Sequence, residues 1–580
     1  MLMHAASLLG TGTIDASGGD DVRTSSRYGG LGGGGRVALW VDDMSGFPVE
    51  NVRVEGGTRT ASNGVINADT AAGTLFIREL GATHGDLVID AHTVVNGGAR
   101  TVTATFLPSL PLDSVTATEV DAASGTDLWI TASAALPMKW LGAGVRLLDG
   151  AGAELGVFRA AEIDDAGRLR LEGASSQDAA AASFEGVYRF DSVVVRGGAG
   201  LDADSTVEAD QVDVIGPAVA LPPSMAVSDL TVTAGSRLVS AQGQSLDIVA
   251  SGTVTVAAGA SIDVSHEGYA GGTDSHYSGY TAPNVTGATR SGGGGHGGEG
   301  YQGNYTGSQG PVFDSVYAPG FPGGGGARGN GGETGGRGGG VIRITAQHLV
   351  LDGELLARGQ NRTGVYAGAG AGGTVALDLA QLSGAGSIDA SGGDNPRNSS
   401  RYGGVGGGGR VAIEVGTLTG FDPATQVLVE GGLRTSSSGT PNVQAGAGTL
   451  FVKGPADTHG HLTVDQGPVY ASIPMTKTPL PTVGSGTVGA VEADLDVPAD
   501  LWLEDVDPAA LFNHGVTGAH VRIGGVDYRI LDFTEDLRRV LLEGAAGVVT
   551  GGETYEGVYK FDSVTVRGRG HLVFDDIDDV

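Results

Sequence analysis

Cysteine is absent from all 580 residues of the sequence. A chain without thiols has no disulfide framework, no thiolate zinc site, no cysteine nucleophile and no iron–sulfur cluster. The absence of cysteine does not by itself fix the cellular compartment.

Lysine is scarce, with only Lys139, Lys453, Lys477 and Lys560, and the 34 basic side chains face 66 acidic ones, a formal charge of −32. Nucleic-acid binding needs clustered Lys and Arg that neutralise phosphates, and anionic membranes attract the same residues. The charge balance therefore argues against nucleic acid and membrane surfaces as partners.

Long hydrophobic runs are also missing. No stretch approaches the roughly 18 apolar residues of a membrane span. Residues 1–10 lack a cationic start and a long apolar stretch, so they do not form a secretory signal. If the protein is exported, we expect a region upstream of this sequence to direct it.

Glycine is what the chain has in excess: 105 residues, about 18% against a usual level of about 7%. Glycine and proline together, with 21 prolines, stay below the roughly 25–30% that indicates low-complexity disorder. The 40% hydrophobic residues are enough to supply a core. We expect a folded architecture that uses glycine heavily.

A long internal repeat is the strongest feature of the sequence. The heptapeptide Ile-Asp-Ala-Ser-Gly-Gly-Asp at 14–20 returns at 388–394, and Glu-Gly-Val-Tyr at 185–188 returns at 556–559. Residues 1 to about 200 and about 375 to 580 are therefore two copies, about 371–375 residues apart. Because the chain begins and ends within this pattern, we interpret it as an excerpt from a longer array.

Short apolar strands follow glycine clusters inside the repeat and indicate the fold. Their starts lie roughly 33–39 residues apart, near residues 340, 373, 410 and 448, and helical periodicity is missing between them. This spacing is typical of stacked coils in which each strand pairs with a parallel neighbour. The sequence predicts an all-β parallel β-helix (β-solenoid) with Gly-rich lateral loops and small antiparallel β inserts.

In the predicted organisation, solenoid coils alternate with antiparallel inserts and a loop rich in Gly and Tyr. Alternating apolar and Arg residues, with Asp-Gly turns, predict an antiparallel insert in each copy. The segment rich in Gly and Tyr at 266–340 has two interpretations: a flap that binds sugars or a neighbouring molecule, or a loop that packs its tyrosines on the solenoid. The predicted boundaries are coils 1–100, insert 101–184, coils 185–265, loop 266–340, coils 341–470, insert 471–555 and further solenoid 556–580.

Calcium is the metal that the sequence suggests, because hard oxygen ligands are abundant. Candidate ligands are the paired aspartates of the repeated corner, Asp15 with Asp20 and Asp389 with Asp394. The alternative is a solvated corner in which these aspartates cap backbone N–H groups. No cofactor is required by the sequence.

A second set of candidates could bind an anion or another ligand. These residues recur in both copies: Arg27, Tyr28 and Arg36, and Arg401, Tyr402 and Arg410. Structural brackets between loop and wall are the other interpretation of this set.

Catalytic residues are not predicted. Gly18-Gly19-Asp20-Asp21 and Gly295-His296-Gly297 superficially match elements of polysaccharide-cleaving β-helices, which use paired carboxylates. In a chain this rich in glycine such short matches arise by chance, and the second copy has Asp394-Asn395 at the first of them. We expect a protein that is not an enzyme.

Coils such as Gly-Gly-Gly-Gly-Arg-Val-Ala-Leu at 32–39, preceded by Ile-Asp-Ala-Ser-Gly-Gly, resemble those of very large bacterial secreted or surface repeat proteins of the filamentous adhesin class. The resemblance implies an extracellular or cell-surface structural protein whose partners are its own repeats and surface glycans. Two alternatives remain open: a carbohydrate-binding or cleaving, tail-spike-like β-helix, and a calcium-dependent adhesin.

Overall fold

The computed structural model describes most of the chain and divides it into two compact units. The first unit comprises Met1–Val239 and Ile248–Thr255, and the second comprises Ser240–Asp247 and Val256–Val580. The structure describes residues 1–21, 30–60, 66–92, 104–175, 178–222, 224–240, 243–303, 307–329, 331–362, 364–396, 402–435, 440–467, 473–507 and 511–574.

Among the residues described in its first half, the chain contains strands of two to fourteen residues and three 3₁₀ turns, Val49–Asn51, Met138–Trp140 and Asp178–Ala180. The strands are β1 Leu2–Ser7, β2 Ile14–Asp15, β3 Arg36–Asp43, β4 Val52–Arg53, β5 Thr58–Thr60, β6 Ile66–Asp69, β7 Thr74–Arg78, β8 Asp86–Asp90, β9 Ala104–Leu107, β10 Asp113–Val120, β11 Leu128–Ala132, β12 Gly144–Leu148, β13 Glu154–Ile163, β14 Leu169–Glu172, β15 Ser183–Arg196, β16 Gly200–Ala203, β17 Val207–Ile215, β18 Val219–Ala220, β19 Ser224–Val232, β20 Arg237–Val239 and β21 Leu246–Val256.

Parallel pairing dominates the first unit. One sheet stacks β8, β15, β17 and β19, and a second stacks β9, β16, β18 and β20. Val193, Val212 and Leu230 lie in register across three successive strands, and each is at most 1% exposed. Stacked coils thus satisfy backbone groups along the stack while aliphatic side chains fill the interior.

The antiparallel insert of the first copy is a closed barrel. Strands β10, β11, β14, β13, β12 and β15 pair in that order, and β15 pairs back to β10. Trp140 and Phe184 meet edge to face in its core, with ring centroids 5.3 Å apart. Trp129 donates from Nε1 to Asp121 Oδ1 at 3.0 Å.

In the described part of its second half, the chain contains twenty further strands and one short helix, α1 Pro423–Gln426, which begins after the N-cap Asp422. The strands are β22 Ser261–Asp263, β23 Val341–Leu351, β24 Glu354–Leu356, β25 Thr374–Ser383, β26 Ser387–Asp389, β27 Arg410–Thr419, β28 Val427–Leu428, β29 Leu433–Thr435, β30 Pro441–Gln444, β31 Thr449–Lys453, β32 His461–Asp465, β33 Thr478–Leu480, β34 Ser485–Ala493, β35 Leu501–Asp505, β36 His520–Ile523, β37 Val526–Phe533, β38 Arg539–Leu542, β39 Thr554–Val558, β40 Ser563–Arg567 and β41 Leu572–Phe574.

The second unit repeats the same parallel construction. Strands β23, β25, β27 and β31 form one stack, and β22, β24, β26 and β28 form the other. Ile262, Leu355 and Ile388 are in register and fully buried. The predicted all-β parallel β-helix with small antiparallel inserts is confirmed.

The insert of the second copy is also a closed barrel, of strands β34, β35, β38, β37, β36 and β39. Its core includes Val521, Ile530 and Leu542, all fully buried. Trp502 donates from Nε1 to Asp494 Oδ1 at 2.9 Å, the same contact that Trp129 makes in the first barrel. Among the described residues, no helix has the length and apolar character needed to cross a membrane.

Candidate functional site

Extended glycine-rich segments pack side by side in the second unit, and we call this feature the glycine junction. It comprises residues 291–301, 323–329, 367–373 and 403–409. Gly294 N donates to Ala369 O at 2.9 Å, while Gly407 N donates to Gly294 O at 2.9 Å. Gly324 N donates to Gly295 O at 3.2 Å. The first segment therefore hydrogen-bonds three different neighbours through its backbone.

Glycine is required here because the backbones touch each other. A Cβ on Gly297 would overlap the backbone oxygen of Gly409, and one on Gly407 would overlap that of Gly298. Neither Gly297 nor Gly407 has a left-handed φ. The junction thus uses glycine for close backbone approach rather than for turns.

Arg410, at the end of one segment, is fully buried. Its Nε and Nη2 both donate to the carbonyl of Phe313 at 3.0 Å, and its Nη1 donates to Thr449 Oγ1 at 2.9 Å. Burial lowers the pKa of Arg410 to about 10, which leaves the guanidinium charged at neutral pH. Arg410 therefore ties the loop that contains Phe313 to strands β27 and β31.

A buried His–Asp pair lies next to this bracket. His296 Nδ1 is 2.9 Å from the carbonyl oxygen of Gly372, and Nε2 is 3.2 Å from Asp314 Oδ2. Both ring nitrogens of His296 therefore face oxygen atoms, one on the backbone and one on Asp314. Asp314 also accepts hydrogen bonds from the amides of Gly320 and Phe321, so it closes the loop on itself.

An aromatic cluster completes the contact between loop and coils. Tyr317 packs against Phe451 and Phe561, with ring centroids 5.0 and 5.2 Å apart. Its hydroxyl donates to the carbonyl of Lys560 at 3.0 Å, and burial raises the pKa of the phenol. By contrast, Tyr277 and Tyr280 are 63% and 43% exposed. Tyr305 lies outside the described residues.

The six predicted ligand-binding residues have different surroundings. Arg27, Tyr28 and Arg401 lie outside the described residues. Arg36 is exposed, whereas Arg410 is buried and bonded as above. The ring of Tyr402 lies 3.8 Å from the guanidinium carbon of Arg434. Arg410 has the contacts of a structural bracket, the second interpretation given for this set.

The four calcium candidates contact backbone amides. Asp15 Oδ1 accepts from Ser17 N at 2.9 Å and Asp20 Oδ1 from Thr58 N at 2.6 Å. In the second copy, Asp389 Oδ1 accepts from Ser391 N at 2.9 Å and Asp394 Oδ1 from Leu433 N at 2.6 Å.

The pKa values of two of these carboxyls move in opposite directions. Hydrogen bonds from Ser17 lower the pKa of exposed Asp15, whereas burial raises that of Asp394. Asp389 is buried and Asp394 half-buried, whereas Asp15 and Asp20 are exposed, so the corner of the second copy is the less solvated of the two.

Four carboxylates interact electrostatically at this corner of the second unit, and we call them the carboxylate column: Asp389, Asp394, Glu430 and Asp465. Arg358 Nε donates to Asp389 Oδ2 at 2.7 Å, and Arg567 Nε donates to Asp465 Oδ2 at 2.5 Å. Between the two ion pairs, burial and then the charges of Asp389, Asp465 and Asp394 raise the pKa of Glu430 to about 7. Sequence reasoning missed Glu430 because its environment comes from other coils.

A cluster with metal-ligand chemistry lies at the β31–β32 turn. Asp457, His461 and Asp562 each offer one ligand atom within 4.8 Å of the others. Asp562 also accepts from the amides of His459 and Gly460 at 3.0 and 2.9 Å. In the first copy, Asp191 makes the same amide contacts, but Ala82 and Asp86 stand where Asp457 and His461 do. Asp191 and Asp562 therefore hold the equivalent turn in each copy by accepting its amide hydrogen bonds.

Sequence reasoning also missed Phe313, Asp314 and Thr449 as members of the junction. The contact between Arg410 and Phe313 joins residues 97 positions apart, so a local sequence pattern does not predict it. The recurrence of Gly-Gly-Gly-Gly-Arg in both copies was the available signal.

Comparison with known proteins adds no family to this description. No protein-family model matches the chain, and the search of curated proteins also found no match.

Proposed function

We propose that this chain is a structural tandem-repeat segment of a long extracellular β-solenoid fibre or adhesin, which supplies stiffness and self-assembly or surface attachment. The main support is that the long sequence repeat is also a repeat of strand register. Arg36 pairs with Thr74 in the first copy as Arg410 pairs with Thr449 in the second. Because strands of the two copies pair in the same register about 374 residues apart, further copies of the repeat could extend the solenoid in the same way.

The glycine junction supports the same proposal. Its contacts are made by backbone groups and are fixed by the absence of Cβ atoms, so they hold coils together in one register. A structural element of this kind provides rigidity without any reacting group.

Imaging the native material by electron microscopy tests the proposal. We expect extended fibres with a regular axial repeat. Discrete globular particles that release reducing sugars from a polysaccharide would overturn it and favour the carbohydrate-cleaving alternative.

A calcium-dependent adhesin is the second candidate, and the carboxylate column favours it. Burial, and after it the charges of Asp389, Asp465 and Asp394, raises the pKa of Glu430, and a divalent cation would relieve the repulsion among these carboxylates. The test is thermal unfolding in calcium and after chelation, against magnesium at equal ionic strength. A loss of stability on chelation that only calcium restores supports this candidate, and identical melting in all conditions removes it.

A further inference from the structure

The first copy contains the same glycine-rich coil as the second, but its outer face is open. In the second copy every residue from Gly403 to Arg410 is buried. At the equivalent positions of the first copy, Gly30, Gly33 and Arg36 are exposed. A Cβ on Gly30 meets no described atom within 4 Å, and one on Gly33 meets only Ala71 O, at 4.0 Å.

The second copy shows what covers this face. Gly404 N donates to Ser291 O at 2.7 Å, and Gly407 N donates to Gly294 O at 2.9 Å. In the opposite direction, Tyr301 N donates to Val405 O at 2.8 Å. All three partners belong to the glycine-rich segment that precedes the second copy.

The first copy presents the same groups without these partners. Within the described part of the chain, the amides of Gly30 and Gly33 and the carbonyl of Leu31 have no backbone hydrogen bond. These groups are the counterparts of Gly404 N, Gly407 N and Val405 O. Among the described residues, the face therefore carries two amide donors and a carbonyl acceptor without backbone partners, in the register that the glycine-rich segment uses.

The first barrel exposes two large apolar side chains. Met138 and Leu141 of the first barrel are 67% and 45% exposed. Their counterpart in the second barrel, His514 at the position of Met138, is 4% exposed and bonds through Nε2 to the carbonyl of Pro283. The first barrel is thus apolar and exposed at a position that is covered in the second barrel.

The ring pair that receives Tyr317 is also present. Phe76 and Phe190 occupy the positions of Phe451 and Phe561, and their ring centroids are 6.4 Å apart, as in the second copy. Thr74 stands where Thr449 accepts from Arg410. The backbone groups and the two rings of the docking surface are thus present in the first copy, where the guanidinium of Arg36 is exposed and donates from Nη2 to the carbonyl of Phe106 at 3.4 Å.

We propose that this face binds a glycine-rich segment of the 289–321 type, contributed by another copy of the repeat. Arg36 donates to the carbonyl that corresponds to Phe313 O, and the incoming glycines lie against Gly30 and Gly33. The inference deepens the proposed function, because it names the contact by which one repeat unit joins the next.

The segment that docks must lack side chains at the contact. A Cβ on Gly297 would overlap a coil carbonyl, as would one on Gly293 against Val405 O. Other extended peptides are therefore excluded by steric overlap, which makes recognition specific for glycine-rich sequence.

The test uses the full chain and a fluorescein-labelled synthetic peptide of residues 289–321, with binding followed by fluorescence anisotropy. We expect saturable binding of one peptide per chain. Gly33→Ala and Arg36→Ala each weaken it by at least about tenfold, since they remove close approach or the guanidinium contact. Gly150→Ala, at a barrel turn where a Cβ meets no described atom within 4 Å, leaves binding unchanged.

Two further arms make the result decisive. A peptide with Gly297→Ala should not bind, and circular dichroism must show that the three protein variants stay folded. The inference is overturned if the peptide fails to saturate folded protein, or if Gly33→Ala and Arg36→Ala bind as tightly as the parent chain. Peptide binding without fibres would refute only the proposed function, and fibres without peptide binding would refute only this inference.

Discussion

At the scale of single residues, environment decides what a repeated side chain does. Arg36 and Arg410 follow the same four glycines, yet one guanidinium is exposed and the other is enclosed with its three nitrogens bonded. A buried arginine with a hydrogen bond from each of its three nitrogens stabilises the fold through those bonds, and its removal takes two of them away from the carbonyl of Phe313.

Arg410→Ala should therefore lower the free energy of unfolding by about 2–4 kcal/mol, through a lost buried contact and a cavity. Urea denaturation followed by circular dichroism measures the change. Arg36→Ala is the matched control, and its effect should stay within about 0.5 kcal/mol, as for an exposed site. Equal effects of the two substitutions would contradict the assigned role of Arg410.

We expect the raised pKa of Glu430 to make the free energy of unfolding depend on pH. Burial, and then the charges of Asp389, Asp465 and Asp394, raises the pKa of Glu430 in the folded chain to about 7, from an ordinary value of about 4.5. Folding therefore favours the protonated form, so stability is fully present at low pH and falls as the pH rises from about 4.5 to 7. After solvent screening we expect a loss of about 1–2 kcal/mol.

Glu430→Gln supplies the control for this prediction, because the amide mimics the protonated carboxyl at every pH. Urea midpoints between pH 5 and pH 8 should fall less steeply for the variant than for the parent chain. If both chains show the same slope, other carboxyls are responsible.

At the scale of elements, the glycine junction replaces side-chain packing by backbone packing. Its segments are neither strands nor helices, and their amides find carbonyl partners on three neighbours. Ordering so many glycines costs more chain entropy than ordering other residues. The backbone hydrogen bonds of the junction must offset that cost. Elements of this kind tolerate no added methyl group where two backbones meet.

Gly407→Ala tests this packing, since its Cβ would overlap the carbonyl of Gly298. We expect a destabilisation of about 3 kcal/mol or more, because both contacting groups are backbone. Gly33→Ala, at the same place in the first copy, should change stability by less than about 1 kcal/mol. Thermal or urea unfolding compares the two variants, and a neutral Gly407→Ala would show that the junction can open.

At the scale of the whole molecule, the formal charge of −32 acts on every state of the chain. The 66 acidic side chains outnumber the 34 basic ones, so the net interaction among charges is repulsive even though some carboxylates pair with arginine, as Asp389 does with Arg358 and Asp465 with Arg567. Such repulsion favours solubility and opposes compactness.

Raising sodium chloride from about 10 to about 150 mM should therefore raise the melting temperature by a few degrees, because the Debye length falls from about 30 to about 8 Å. Differential scanning calorimetry measures the shift. Near the isoelectric point, about 4.5, the salt effect should largely vanish. A melting temperature that falls with salt at neutral pH would mean that attractive ion pairs outweigh the repulsion.

The alternation of glycine clusters with short apolar strands sufficed to predict the coils. Val341, Val375 and Val411 lie on parallel strands of one stack, as their spacing indicated. The inserts were predicted as antiparallel, but closure into barrels was not, because it depends on pairing between the first and last strands. That pairing, between β34 and β39, joins residues about 70 positions apart.

What the sequence determined by itself was the local conformation and the period: strands where aliphatic residues alternate, and two copies about 374 residues apart. The string Gly-Gly-Gly-Gly-Arg-Val-Ala is identical at 32–38 and 406–412. Only the tertiary structure decided that one copy is buried beneath residues 291–301 and the other is open. The physical reason is that burial, hydrogen-bond partners and pKa depend on which distant segment lies against a residue, and identical local sequence carries no information about that segment.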